Sequence, residues 1–113
     1  MKVFSAFFYT ETNTWCYRYG FYTFHDAAVD KLLRKFVRVR IDAEKDTEKS
    51  YQKTDARGLP TLMPFTASGE RVRFKLRGAK KDLAKDERMI TGWLRPQELV
   101  INLKRILKAC SER

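Results

Sequence analysis

The stretch KVFSAFFYT, residues 2–10, constrains the fold more than any other part of the chain. It has the length and the Val, Phe and Tyr content of a β-strand. Its apolarity is nearly continuous rather than alternating, so such a strand needs cover on both faces. The ETNT that follows supplies helix caps, with Asn13 or Thr14 able to accept from the first free helical N–H groups. A helical segment is expected next, with Gly20 as its weak point. It resumes over FHDAAVDKLLRKF, where Phe24, Ala28, Leu32 and Phe36 recur at helical spacing and Val29 and Leu33 widen the stripe. FVRVRID then alternates apolar and basic residues, the pattern of a strand with one wet face. A strand–helix–strand start implies parallel pairing through a right-handed crossover.

The second half is more broken. AEKDTEKSYQKTDARG reads as a loop with a short helix through Tyr51, ended by Gly58. LPTLMPF returns to strand character, but Pro60 and Pro64 each lack a ladder donor. Pro60 is therefore expected at the strand's start, and Pro64 near its end or facing an edge. TASGE is a turn centred on Gly69, and RVRFKLR alternates again, with Val72, Phe74 and Leu76 on one face. These two strands are expected to form an antiparallel hairpin. GAKKDLAKDE reads as a polar insertion, and Gly78–Glu87 is expected to be a mobile, exposed excursion that adds little to stability. A short strand is expected in RMITGW. RPQELVINLKRILKACSER closes the chain as a helix, with Pro96 at its first position and Leu99, Leu103, Ile106 and Cys110 on one stripe. The expected class is α/β, with a central mixed sheet of about four strands flanked by helices on both faces.

Length and charge bound the rest. The 113 residues are expected to form a single domain, 1–113. A chain of this size buries roughly two-thirds of its unfolded surface and needs no staples. Two cysteines far apart make no disulfide scaffold, and one histidine leaves no zinc pattern, so neither metal nor cofactor is expected. No stretch approaches the roughly 20 apolar residues of a membrane span. The apolar run in MKVFSAFFY is too short for a leader. The expectation is a cytoplasmic monomer for the chain as it stands, or a periplasmic or cell-envelope protein if a leader has been removed. The net charge is +10, and between Arg71 and Arg88 eight basic residues face three acids. Such a patch can bind nucleic acid or anionic lipid. Only Phe74 interleaves with those charges, so a base-stacking platform is not indicated and a solvated surface is the simpler reading.

This element order, together with GLPTLMPFTASGE, resembles the thioredoxin fold over nearly the whole chain. The residues that carry the likeness are an apolar strand before a Trp-Cys helix start, the F-x-D-x-x-V-x-x-L-L-x-x-F-V-x-V-x-x-D spacing from Phe24 to Asp42, the GLPT turn, and ITGWLRPQEL. By pattern the chain is similar to the thioredoxin-like domains of thiol:disulfide interchange proteins. The resemblance implies a cis-proline opposite the active cysteine pair, a role that falls to Pro60. It also marks residues about 70–88 as an insertion and leaves one peripheral element without a counterpart before Lys2.

The cysteine motif departs from that family, and two registers are open. In one, Cys16 leads and CYRY stands for C-x-x-C, with Tyr19 in the second seat. In the other, Cys16 trails and NTWC stands for C-x-W-C, with Asn13 in the seat of the missing cysteine. The second needs no gap on either side and is favoured. A leading cysteine at a helix N-terminus is acidified by free N–H groups and the helix dipole. An amide at Asn13 cannot attack a disulfide, and neither tyrosine nor asparagine can resolve one. Against these roles stand plainer ones: Asn13 as a helix cap, Cys16 as a small apolar filler, His25 as a local cap or surface residue, and Cys110 as a residue near a fraying terminus. Ten of the fifteen aromatics lie in the first 24 residues, as core or as the rim of a groove.

Three functions are left. One is a binding module that holds a protein or peptide at a groove of Trp15, Leu59, Pro60 and Thr61. A second is a monothiol exchange enzyme using Cys16, with glutathione as partner. A third is a basic anion- or nucleic-acid-binding module, which is the least expected.

Overall fold

The computed structural model describes residues 2–78 and 82–112, with the side chains of 82–86 outside the description. The order is β1 (Val3–Tyr9), α1 (Thr14–Phe21), a 3-10 turn (Thr23–His25), α2 (Ala27–Leu33), β2 (Phe36–Asp42), α3 (Ser50–Lys53), β3 (Thr61–Thr66), β4 (Phe74–Arg77), β5 (Asp82–Glu87), β6 (Ile90–Thr91) and α4 (Pro96–Ser111). The main sheet runs β2-β1-β3-β6. β1 pairs in parallel with β2, from Val3 opposite Phe36 to Tyr9 opposite Asp42. It is antiparallel to β3, with Ser5 opposite Pro64 and Phe8 opposite Thr61. β6 adds only two residues, opposite Thr61 and Leu62.

The continuous apolarity of β1 follows from its interior place. Val3 and Phe7 face a cluster built from Tyr19 of α1, Val29 and Leu33 of α2, and Leu99, Leu103 and Ile106 of α4. Ala6 and Phe8 face the other way, onto Met63 and Met89, with Tyr51 of α3 and Leu59 packed alongside. The sheet is thus mixed, four-stranded and flanked by helices on both faces, three on one side and a single turn on the other. Burying a side chain such as Phe8 contributes about 1.5–3 kcal/mol, so the two clusters supply most of the drive to fold.

Local chemistry moved several boundaries. α1 runs through Gly20 to Phe21 without breaking there. The Asp26 carboxylate accepts from the N–H groups of Ala28 and Val29, so α2 starts at Ala27 rather than at Phe24. The buried stripe is then Val29, Leu32 and Leu33, and Ala28 is exposed. Pro64 lies within β3, yet its carbonyl accepts from Val72, on the side away from β1. Its absent N–H points the same way, so the β1–β3 ladder loses nothing.

The expected hairpin after TASGE opens early. The turn is closed by Thr66 N–H to Glu70 O at 2.8 Å and Val72 N–H to Pro64 O at 3.3 Å, and Phe65 bridges Arg71. β4 then leaves the main sheet and pairs with β5 instead. Residues 82–87, expected as an unstructured polar insertion, are that strand, with Phe74 opposite Glu87 and Lys75 opposite Asp86. Pairing to a neighbour made the strand, where the charged run showed no apolar alternation. Residues 79–81 of the same stretch lie outside the described residues. The buried Asn102 of α4 ties the end of β4 down: it accepts from Arg77 N–H at 2.9 Å and donates to Arg77 O at 2.8 Å.

Candidate functional site

The start of α1 is built by one side chain. Asn13 has extended backbone, and its Oδ1 accepts from Trp15 N–H at 2.9 Å and Cys16 N–H at 3.0 Å. Two of the helix's four free donors are therefore taken by a neutral amide. Cys16 sits one turn in and is only 5% exposed. Burial pushes its thiol above the ordinary range, and backbone hydrogen bonds from Thr10 and from Cys16 itself oppose that shift. Such a thiol is a poor thiolate at neutral pH. Cys110 is buried in α4, and neither cysteine forms a disulfide.

Tyr19 is wholly buried, and its hydroxyl does structural work. It donates to Gly92 O at 3.0 Å and accepts from Leu94 N–H at 3.2 Å. Thr23 adds a second tie: its hydroxyl donates to Leu94 O at 2.9 Å and accepts from the Trp93 indole N–H at 2.9 Å. The loop 92–94 is thereby clamped to the far end of α1 and the 3-10 turn. Gly92, at a φ of 90°, donates its N–H to Pro60 O at 2.8 Å. The Leu59–Pro60 bond is cis. Pro60 and Thr61 are buried, and the Thr61 hydroxyl donates to Gly58 O.

These ties bring Trp93 against Trp15, with ring centroids 5.8 Å apart. The Arg18 guanidinium lies over both indoles, at 5.0 Å from Trp15 and 5.7 Å from Trp93. Tyr22 closes the group, 6.3 Å from Trp93. Trp15 is 48% exposed and Tyr22 58%. A surface of this kind can offer a ligand stacking and cation–π contacts.

Of the residues expected at the site, the structure gathers Asn13, Trp15 and Cys16 at the start of α1 and links Pro60 to Trp93 through Gly92. Leu59 departs from that group, because its side chain packs on the opposite face with the Phe8 and Met63 cluster. Its backbone N–H and C=O make no hydrogen bond among the described residues. Trp93, Arg18 and Tyr22 were not expected there. The available signal was the Trp15, Arg18, Tyr22 spacing, which puts three stacking groups along one face of a helix. His25 ends the 3-10 turn and is exposed, consistent with a surface role. Among the described residues no group of His, Cys, Asp and Glu could hold a metal ion.

Compared with solved structures, the chain has a thioredoxin-like fold. It superposes on a thioredoxin from Thermus thermophilus with a TM-score of 0.68 and 16% identity, covering 97% of this chain and 79% of that one. The C-terminal domain of DsbD from Neisseria meningitidis, in its oxidised form, gives 0.62 at 13% identity, covering 93% and 80%. A thioredoxin from Malassezia sympodialis gives 0.61 at 15%, covering 93% and 75%. No family profile matches the sequence. No curated protein matches it either.

Proposed function

We propose that this chain is a thioredoxin-fold binding protein. It holds an extended peptide or protein segment at the groove edged by Trp15 and Trp93, beside the buried Pro60 and Thr61, and it does not run a dithiol cycle. The observation that carries the reading is the division of roles on α1. The helix N-terminus is occupied by the Asn13 amide and the one nearby thiol is buried, while the Trp15 indole and the Arg18 guanidinium are exposed against a half-buried Trp93. The unpaired backbone groups of Leu59 supply main-chain partners for an extended segment. Arg18 makes no ion pair among the described residues, so it favours acidic or aromatic side chains on the ligand. In this proposal Asn13 takes the seat of the missing cysteine, residues 1–113 act as one monomeric domain, and residues about 70–88 are its insertion.

Both tryptophans of the chain lie in the groove, so intrinsic fluorescence reports on it directly. Insulin B chain with blocked thiols should give a saturable change. Trp15→Ala should weaken binding about tenfold or more, as the loss of a central aromatic anchor does. The same protein should fail to reduce insulin. Equal binding by wild type and Trp15→Ala would overturn the groove. Rapid formation of a mixed disulfide between folded protein and oxidised glutathione would replace this reading with monothiol exchange.

A further inference from the structure

The side of α1 away from the tryptophans borders a cleft of about 500 Å³. That is within the roughly 300–1,000 Å³ of small-molecule sites. Tyr17 and Phe21 form one lip. Their rings stack on each other at 4.2 Å, yet they are 58% and 66% exposed, large apolar groups with no further ring contact among the described residues. Phe7 and Phe24 form the inner wall, in edge contact at 5.0 Å, with Cys16 and Leu33 beside them. The opposite lip is β2, an edge strand, so the cleft is open to solvent along that side.

The charges on that lip are of one kind. Arg38 and Arg40 are two apart on a strand, so both guanidiniums rise on the cleft face. Arg38 lies over Phe24 at 5.5 Å and Arg40 over Tyr9 at 4.9 Å. Neither makes a hydrogen bond or ion pair to a carboxylate among the described residues. The two acids on the rim do not neutralise them. Asp30 is held by Arg34 at 2.9 Å, and Glu11 is exposed. An aromatic wall beneath two unpaired, pre-stacked guanidiniums is a receptor for a flat or chain-like body that ends in an anion.

We propose that this cleft binds an amphipathic monocarboxylate, an aryl or short acyl acid. Its body lies between Phe7, Phe21 and Phe24, and its carboxylate lies on Arg38 and Arg40. The site is separate from the tryptophan groove, since neither Trp15 nor Trp93 lines it.

The probes are 4-phenylbutanoate and its neutral amide, titrated against full-length protein with amide chemical shifts as readout. The acid should bind saturably, with shifts centred on α1 and β2, and the amide should bind about tenfold or more weakly because it lacks the charge. Arg38→Gln with Arg40→Gln should abolish the discrimination, and Phe21→Ala should weaken acid and amide alike. All three positions are exposed, and matching thermal midpoints would verify folding. Equal binding of acid and amide, no saturation by the acid, or acid binding unchanged in the double arginine variant would each overturn the proposal. So would a glutamate-rich peptide that shifts the Val37–Ile41 amides where 4-phenylbutanoate does not, because the occupant would then be a strand added to β2.

Discussion

Cys16 and Tyr19 sit one turn apart on α1, and burial sets the behaviour of both. For Cys16 the folded protein holds the thiol proton more tightly than the unfolded chain does. Its contribution to stability is therefore fully present below the ordinary thiol range and is lost as pH rises through the higher folded value. Urea midpoints of the wild type should fall across that alkaline window, and Cys16→Ala should remove that part of the slope. Identical pH profiles for the two proteins would show that the thiol is not desolvated. Tyr19→Phe keeps the ring stacked on Phe24 at 5.0 Å but strands the Leu94 N–H and the Gly92 carbonyl. The loss should be about 1–3 kcal/mol in urea unfolding. It should come with a change in tryptophan emission, since the same loop carries Trp93. Unchanged stability and emission would mean that Thr23 alone holds the loop.

At the scale of elements, the start of α1 makes the clearest forecast. Asn13→Ala should cost about 0.5–2 kcal/mol, because two helical N–H groups lose their acceptor. Asn13→Cys should create an oxidisable pair with Cys16, and Tyr19→Cys should do so less readily, because position 19 is committed to the core beneath loop 92–94. A clean redox couple from Tyr19→Cys alone would reverse the assignment of Asn13 to the missing seat. The same elements show what the sequence could convey. β1 and α4 were legible because most of their buried positions are apolar, with Ser5 and Asn102 the buried polar exceptions. The start of α2 was misplaced because a single carboxylate, Asp26, decided it over the longer apolar stripe. β5 was hidden because its pairing with β4 draws on backbone groups and leaves no alternation to read. The tryptophan cluster was legible only in half. Trp15 stands beside the cysteine, but Trp93 reaches it through hydroxyls of Tyr19 and Thr23, seventy or more positions away.

Across the whole molecule, charge rather than packing sets the response to solvent. Twenty-four Lys and Arg face fourteen Asp and Glu, a net charge of +10, in a body measuring 35 × 29 × 25 Å. Only Arg34–Asp30 and Arg57–Glu87 pair as salt bridges among the described residues, and exposed pairs of that kind contribute about 0–1 kcal/mol. The remaining positive charge repels itself, which favours the expanded chain. The Debye length is about 30 Å at 0.01 M ionic strength and about 8 Å at 0.15 M. At the lower salt every cation therefore senses the others across the full width of the protein, and at the higher salt only its neighbours. The thermal midpoint should accordingly rise between those two conditions, and sodium chloride and potassium fluoride should raise it equally if screening is the cause. A midpoint that falls with salt would mean that the two ion pairs outweigh the repulsion. A rise specific to one anion would point instead to occupancy of a discrete cationic site, with Arg38 and Arg40 as the first place to look.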